Sequence, residues 1–187
     1  MNTEIRRIKP AEFDPAMDIL EKELGDGMGR TRKELKKTFN KTPEFFIGAF
    51  IDDKIEGIIC GFPREDYLLM SEIAVYSQFQ KHHFGKKLME EFEKKAFEKY
   101  NKIKLISKDD VKGFYFGLGF TPSIFIQFED KIYTPKDFEN EKIISMKRYG
   151  VELTSENCSE KELATFREKY PLANMQYLFT KEKNTNK

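Results

Sequence analysis

The sequence predicts an α/β (α+β) fold, in which helices flank a mixed, mostly antiparallel sheet and a helix and a strand extend it at the C-terminus. Two apolar segments joined by Asp52-Asp53 indicate an antiparallel hairpin. A strand at 67–76, a helix at 84–100 and a strand at 103–106 form a crossover. A crossover of this kind joins parallel strands, so the sheet should contain one central parallel pair.

The N-terminal part of the chain predicts one strand and two helices. Residues 4–8 form the strand. A helix then begins with Asp14 as its N-cap and runs to Leu24, because apolar residues recur at helical spacing. Thr31 begins the second helix, and Glu34 lies three residues later, which is the spacing of a capping box.

The central elements are predicted from the spacing of their apolar residues. Residues 45–51 and 54–62 are the two strands of the hairpin. The helix at 84–100 has an apolar stripe that repeats every four positions and comprises Leu88, Phe92, Ala96 and Tyr100. This helix should therefore pack one face against the sheet.

After the crossover the sequence predicts a short helix and two more strands. Asp109 or Asp110 caps the helix, and Gly119 ends it. Strands follow at 123–128 and 142–149, joined by a polar loop. The element order up to this point is β-α-α-β-β-β-α-β-α-β-β.

Residues 151–187 differ in composition from the chain before them. Ser159 caps a short helix, a strand follows at 174–180, and the lysine-rich tail after Lys181 is expected to be disordered. A segment of about 40 residues does not bury a core alone. We therefore expect residues 1–150 to form one domain and residues 151–187 to be an extension of that domain.

Composition and charge exclude several classes of protein. The chain has 33 Lys and Arg against 32 Asp and Glu, and a dedicated nucleic-acid-binding protein normally has a basic excess. No apolar run approaches the roughly 20 residues of a membrane span, and the N-terminus lacks the apolar segment of a signal peptide. We expect a cytoplasmic protein with no nucleic-acid or membrane partner.

The two cysteines predict neither a disulfide framework nor a metal site. Cys60 lies in an apolar run and is expected in the core. Cys158 lies in a polar stretch and is expected at the surface.

A polar turn between the strand at 67–76 and the helix at 84–100 predicts an anion-binding site. At such a junction several backbone N–H groups lack intrahelical acceptors and point outward at the positive end of the helix dipole. The turn and the start of the helix comprise Gln80, Lys81, His82, His83, Phe84, Gly85 and Lys86. The alternative interpretation is a solvated helix start with ordinary surface lysines.

This turn and a later aromatic segment together resemble a known family. The later segment, residues 113–120, is the end of an aromatic-rich helix closed by glycine. In this order the two segments resemble the acyl-coenzyme-A-binding core of the GNAT N-acetyltransferase superfamily, over about residues 1–150. The family signature is Arg or Gln, any two residues, Gly, any residue, then Gly or Ala. Gln80 and Gly85 match it, whereas His83 replaces the first glycine.

The resemblance implies acetyl-CoA as co-substrate. Backbone N–H groups from Lys81 to Lys86 would bind its pyrophosphate. The pantetheine arm would run along the preceding strand, and the acetyl carbonyl would accept an N–H from the backbone of Ile73, Ala74 or Val75. Ser107 and Lys108 occupy the region of an asparagine common in the family, and either would contact the coenzyme arm. No Asp, Glu or Cys lies at a ligand spacing from His82 and His83, so no metal is predicted, and the two histidines are interpreted as loop residues near phosphate.

The resemblance also implies a role for Tyr115, whereas Glu72 is singled out by its charge inside an apolar strand. Tyr115 stands at the usual place of a family tyrosine that protonates the departing thiolate. Glu72 would take a proton from the attacking amine as a partly desolvated base. The alternatives are an aromatic core residue for Tyr115 and a solvent-facing or ion-paired residue for Glu72.

The predicted function is transfer of an acetyl group from acetyl-CoA to a primary amine, by direct attack in a ternary complex. The acceptor would be a small molecule or a peptide amine, bound by the loop at 25–30, the second helix and the loop at 129–142. Two alternatives stay open, a noncatalytic acyl-CoA-binding module and an acetyltransferase of protein tails. A homodimer that shares the strand at 174–180 is a further alternative.

Overall fold

The computed structural model forms two compact units, which we describe separately. The first comprises Met1–Lys104 and Glu182–Lys187, and the second comprises Leu105–Lys181. The structure describes residues 2–80, 82–107, 111–129, 132–155 and 158–184. The division of the chain at residue 150 stays a prediction.

The first unit contains a mixed sheet. Its strands, in spatial order, are β1 (Thr3–Arg7), β2 (Phe46–Ile51), β3 (Lys54–Pro63), β4 (Leu68–Val75) and the start of β5 (Lys102–Ser107). The first four are antiparallel neighbours, and β4 pairs with β5 in parallel through Leu68 with Ile103 and Leu69 with Lys104. The predicted hairpin and the predicted parallel pair are both confirmed. Asp52 and Asp53 form the hairpin turn with φ of 45° and 66°.

Three helices belong to the first unit: α1 (Phe13–Leu24), α2 (Arg32–Phe39) and α3 (Phe84–Lys99). The capping box at the start of α2 is confirmed, since Thr31 accepts from the Glu34 N–H and the Glu34 carboxylate accepts from the Thr31 N–H. The predicted N-cap of α1 is wrong. A 3-10 turn at Pro10–Glu12 leads directly into α1, so Glu12 is the N-cap and Asp14 lies in the first turn.

The core of the first unit is rich in phenylalanine. The rings of Phe13, Phe39 and Phe46 bring α1, α2 and β2 together, with centroids 5.2–6.4 Å apart. On α3 the predicted stripe is confirmed for Leu88, Phe92 and Ala96, which are completely buried. The prediction for its fourth residue is wrong, because the helix ends at Lys99 and Tyr100 is an extended, half-buried C-cap.

A β-bulge lies in the middle of β4. Cys60 of β3 pairs with Glu72, but the next residue of β3, Gly61, pairs with Met70. Ser71 is therefore the extra residue of β4, and such an insertion bends the strand and redirects its side chains. The bulge falls directly before Glu72.

The second unit is built around a strand that has neighbours on both sides. Its elements are α4 (Lys112–Gly117), β6 (Thr121–Gln127), β7 (Ile143–Lys147), β8 (Gly150–Thr154), α5 (Glu160–Lys169) and most of β9 (Asn174–Glu182). β6 pairs antiparallel with β8 on one side and with β9 on the other, and β7 pairs with β8. No helix in the described ranges has both the length and the apolar character of a membrane span.

The sequence did not predict β8. Gly150 resembles a break, but a Cβ there would lie 2.8 Å from the Phe125 ring, so the glycine permits a close approach between β8 and β6. The cap at Ser159 is confirmed, since its hydroxyl accepts from the Glu162 N–H. Cys158 is only 3% exposed, and the expectation of a surface thiol is wrong.

Candidate active site

The turn that leads from β4 into α3 presents backbone N–H groups at the start of a long helix. A 3-10 turn at Ser77–Phe79 follows β4, and the Gln80 side-chain amide donates to the Val75 carbonyl over 3.1 Å. The first bond of the helix runs from the Lys87 N–H to the His83 carbonyl. The N–H groups of residues 84–86 precede this bond and have no acceptor one turn earlier in the helix. These are the N–H groups for which the sequence predicts anion binding.

His83 has a left-handed backbone at the N-cap of α3, with φ of 61° and ψ of 12°. This is the position at which the family signature has glycine, and the structure keeps the conformation without the glycine. A left-handed conformation costs a residue with a Cβ about 1–2 kcal/mol. This conformational cost therefore falls within the turn before α3, next to the N–H groups of residues 84–86.

Replacing His83 with glycine should stabilise the protein. We expect His83→Gly to raise the free energy of unfolding by about 0.5–1 kcal/mol, because relief of the left-handed strain exceeds the entropy that glycine loses on folding. Urea unfolding measures the change. His82→Gly is the matched control, since His82 is also exposed but is not the N-cap of α3, and it should lower the stability. Equal effects of the two changes would contradict the assignment of strain to His83.

The free edge of β4 fits the predicted binding of an extended ligand arm. Within the described part of the first unit, only Leu68 and Leu69 of β4 pair with β5. Residues Ile73, Ala74 and Val75 pair on their other side with β3, opposite Ile59, Ile58 and Gly57. An extended chain can add to an open sheet edge through main-chain hydrogen bonds.

Glu72 is buried in the first unit, with 4% of its surface exposed. Its Oε1 accepts from the Gly29 N–H and from the Ser71 hydroxyl, each over 3.1 Å. Both donors are neutral, and within the described residues Glu72 forms no ion pair. The interpretations of Glu72 as a solvent-facing residue or an ion-pair partner are therefore wrong.

Burial raises the pKa of the Glu72 carboxyl. The hydrogen bonds from Ser71 and Gly29 and the charge of Arg30 act in the opposite direction, but desolvation is the larger effect. A carboxylate with a raised pKa is a stronger base at neutral pH than an exposed one. Burial likewise raises the pKa of the Cys60 thiol opposite Glu72, which keeps this cysteine protonated and unsuited to act as a nucleophile.

Arg30 is a site residue that the sequence analysis did not single out. Its guanidinium lies over the ring of Phe62, 4.1 Å from the centroid, and its charge acts on Glu72. The sequence predicts a role for the loop at 25–30 as a whole, and the observed neighbours of Arg30 distinguish it from the other loop residues. The sequence feature that could have identified Arg30 is its positive charge within that loop.

In the second unit, Tyr115 lies at the end of α4 in an aromatic cluster. Its ring is 4% exposed and packs against Phe114, Phe120 and Phe179, with centroids 5.2–6.0 Å apart. The predicted helix stop is confirmed, since Gly119 has φ of 81° and the Phe120 N–H bonds back to the Tyr115 carbonyl. This closure fixes the backbone of Tyr115.

The remaining predicted residues differ in how far they are described. Gly85 is half-buried, whereas His82, His83 and Lys86 are exposed, and Phe84 is buried. Ser107 ends β5 and is half-buried. Lys81, Lys108 and the two candidate caps Asp109 and Asp110 lie outside the described residues. Among the described residues no cluster of three or more His, Cys, Asp or Glu could hold a metal ion.

Comparison with known proteins agrees with this arrangement. The model of the acetyltransferase (GNAT) family matches residues 9–120, which include β4, the turn, α3 and α4. No curated protein sequence matches the chain.

Three solved structures have a similar fold at low sequence identity. Ard1 from Thermoplasma volcanium is 16% identical with a TM-score of 0.59, over 83% of this chain and 100% of Ard1. A GNAT acetyltransferase from Elizabethkingia anophelis with acetyl-CoA bound is 18% identical with a TM-score of 0.57, over 97% and 99% of the two chains. N-acetylglutamate synthase from Neisseria gonorrhoeae, complexed with coenzyme A and N-acetyl-glutamate, is 13% identical with a TM-score of 0.57, over 97% of this chain and 35% of the synthase. The chain belongs to the GNAT family of acetyltransferases.

Proposed function

We propose that the protein transfers an acetyl group from acetyl-CoA to a primary amine by direct attack, with Glu72 as the general base. The buried carboxylate on β4 supports this proposal most directly. It is held by the Gly29 N–H and the Ser71 hydroxyl, and burial raises its pKa. A structural carboxylate buried without an ion pair is costly, so a catalytic role explains its presence.

Two parts of acetyl-CoA, the pyrophosphate and the pantetheine arm, are assigned to residues of this chain. The N–H groups of Phe84, Gly85 and Lys86 would bind the pyrophosphate, assisted by the charges of Lys81 and Lys86. The free edge of β4 at residues 73–75 would bind the pantetheine arm. Ser107 and Lys108 would contact the same arm, and His82 and His83 would border the phosphates.

Acetyl-CoA supplies the acetyl group as an activated thioester. Glu72 takes one proton from the ammonium of the acceptor, so that the nitrogen has a free electron pair when the C–N bond forms and the C–S bond breaks. Tyr115 gives its hydroxyl proton to the departing sulfur, and the second amine proton replaces it. One proton is released to solvent per acetyl group transferred, from Glu72. We propose the cytoplasm as the compartment of this reaction.

Two measurements test the proposal. Calorimetry of the full chain should detect binding of acetyl-CoA, and a thiol-release assay with a panel of small amines and peptides should detect amine-dependent turnover. Binding without turnover of any acceptor would support a noncatalytic acyl-CoA-binding module. If acetyl-CoA does not bind, both the proposed acetyl transfer and the noncatalytic acyl-CoA-binding module are contradicted.

Tyr115→Phe tests the acid. We expect kcat to fall by about 10- to 100-fold, because the hydroxyl proton is lost, while the acetyl-CoA dissociation constant stays unchanged. The ring contacts with Phe114, Phe120 and Phe179 are conserved in the variant. Tyr133→Phe, on the same unit, is the control and should keep full turnover. An unchanged kcat in Tyr115→Phe would indicate that Tyr115 is an aromatic core residue and not the acid.

A further inference from the structure

Arg30 stands out among the charged residues of the first unit because its guanidinium stacks on an aromatic ring, while its charge acts on the Glu34 carboxylate only at a distance. The guanidinium lies over Phe62, a residue of β3 that is 8% exposed. Stacking on a ring orients a guanidinium and leaves its N–H edge available. Within the described residues Arg30 forms no ion pair.

The other charged residues around Arg30 are engaged with one another. A cavity of about 400 Å³ lies beside Arg30, and the charged residues Glu21, Arg32 and Glu34 also line it. Arg32 donates to Glu21, and Glu34 accepts from Thr31 at the cap of α2. Arg30 is therefore the lining cation that forms no ion pair within the described residues and can bind an anion from solution, with the Glu34 charge also acting on it.

The backbone couples Arg30 to Glu72. The N–H of Gly29 donates to the Glu72 carboxylate, and a Cβ on Gly29 would lie 3.3 Å from the same oxygen. Arg30 is the next residue along the chain. The segment Gly29-Arg30 thus holds the Glu72 carboxylate through its backbone and carries a guanidinium on its second residue.

This pair is complementary to a molecule that carries an amine and a carboxylate on a short carbon frame. We propose that the acceptor is a free amino acid or a similar small amino-carboxylic acid, whose carboxylate binds to Arg30 while its ammonium faces Glu72. Guanidinium binds carboxylate through two parallel hydrogen bonds, and this geometry selects the anion. The inference rests on the proposed acetyl transfer and adds the class of acceptor.

Matched pairs of acceptors test the inference. Each pair is an amino acid and its decarboxylated amine: phenylalanine and 2-phenylethylamine, leucine and 3-methylbutylamine, and lysine and cadaverine. For the wild type we expect kcat/KM to favour at least one amino acid over its amine by about 10- to 100-fold, which is the contribution of a charge-assisted hydrogen bond. Arg30→Gln should abolish this preference by lowering only the value for the amino acid.

Two further variants separate recognition from general charge and folding. Arg32→Gln removes a neighbouring guanidinium that lines the same cavity, and the preference should survive it. Arg30→Lys retains the charge without the planar fork, and it should retain only part of the preference. If Arg30→Gln lowers kcat/KM equally for both members of each pair, or if the wild type does not distinguish them, the inference is wrong while acetyl transfer stands.

A binding measurement keeps the inference testable if no pair is turned over. Calorimetry of the CoA complex with the same six compounds should show tighter binding of an amino acid than of its amine, and Arg30→Gln should remove the difference. If CoA binds but no amino acid binds more tightly than its amine, the inference is overturned, and a peptide acceptor is favoured when peptides are turned over. If CoA does not bind, the proposed function itself fails and the inference with it.

Discussion

Glu72→Gln should lower kcat by about 10²- to 10⁴-fold, the usual contribution of general-base catalysis. The amide keeps the shape of the side chain, and its oxygen can still accept from the Gly29 N–H and the Ser71 hydroxyl. Acetyl-CoA binding should therefore be unchanged. Glu56→Gln is the matched control, since burial also raises the pKa of Glu56 on the neighbouring strand, and it should retain turnover.

The pH dependence of turnover gives a second signature of the base. Because burial raises the pKa of Glu72, the wild-type rate should rise with pH through that raised pKa and then level off. In Glu72→Gln only an amine that has already lost its proton can attack, so the rate should keep rising toward the pKa of the amine. A variant whose profile parallels that of the wild type would show that Glu72 does not take the proton.

The stability of the same variant separates a catalytic carboxylate from a structural one. The folded-state pKa of Glu72 lies above its unfolded value, so folding favours the protonated form. That contribution is complete below the unfolded pKa, about 4.3, and is lost as the pH rises through the folded pKa. Glu72→Gln should therefore gain stability relative to the wild type between pH 4 and pH 7. A loss of stability at pH 7 would indicate a structural role.

Local signals account for the parts of the fold that could be predicted. The capping box at Thr31, the Asp52-Asp53 turn and the stop at Gly119 each depend on residues within a few positions of one another. The stripe on α3 is likewise a property of one segment. Side-chain periodicity and cap chemistry therefore located most elements to within a few residues.

Features that depend on distant residues could not be predicted in this way. Gly150 resembles a chain break, and only the approach of Phe125 explains why a strand begins there. The relation of Arg30 to Glu72 arises from a loop folding onto a strand more than 40 positions away in the sequence. The bulge at Ser71 belongs to the same class, because it is defined by the register with β3.

The packing of α3 on β3 positions the proposed anion site, and its loss should have the largest effect on stability. Phe92 is completely buried and lies over Gly61, where a Cβ would be only 2.6 Å from the Phe92 Cζ. Phe92→Ala should cost about 3–5 kcal/mol, the usual range for a buried phenylalanine. Urea unfolding measures this loss, and Glu90→Ala on the exposed face of α3 is the control, with an expected change below about 0.5 kcal/mol.

A double-mutant cycle shows whether the ring and the glycine fit each other. Gly61→Ala alone should cost about 1–3 kcal/mol, since the new methyl group meets the Phe92 ring and Leu68 inside a filled core. In a Phe92→Leu background the atoms that the methyl group meets first are absent, and Gly61→Ala should cost less by about 0.5–3 kcal/mol. If the two substitutions have additive effects on the free energy of unfolding, the packing of α3 on β3 does not depend on the contact between Gly61 and Phe92. Strong coupling would mean that a glycine is required at position 61 because α3 lies this close to β3. The same helix presents the N–H groups of residues 84–86.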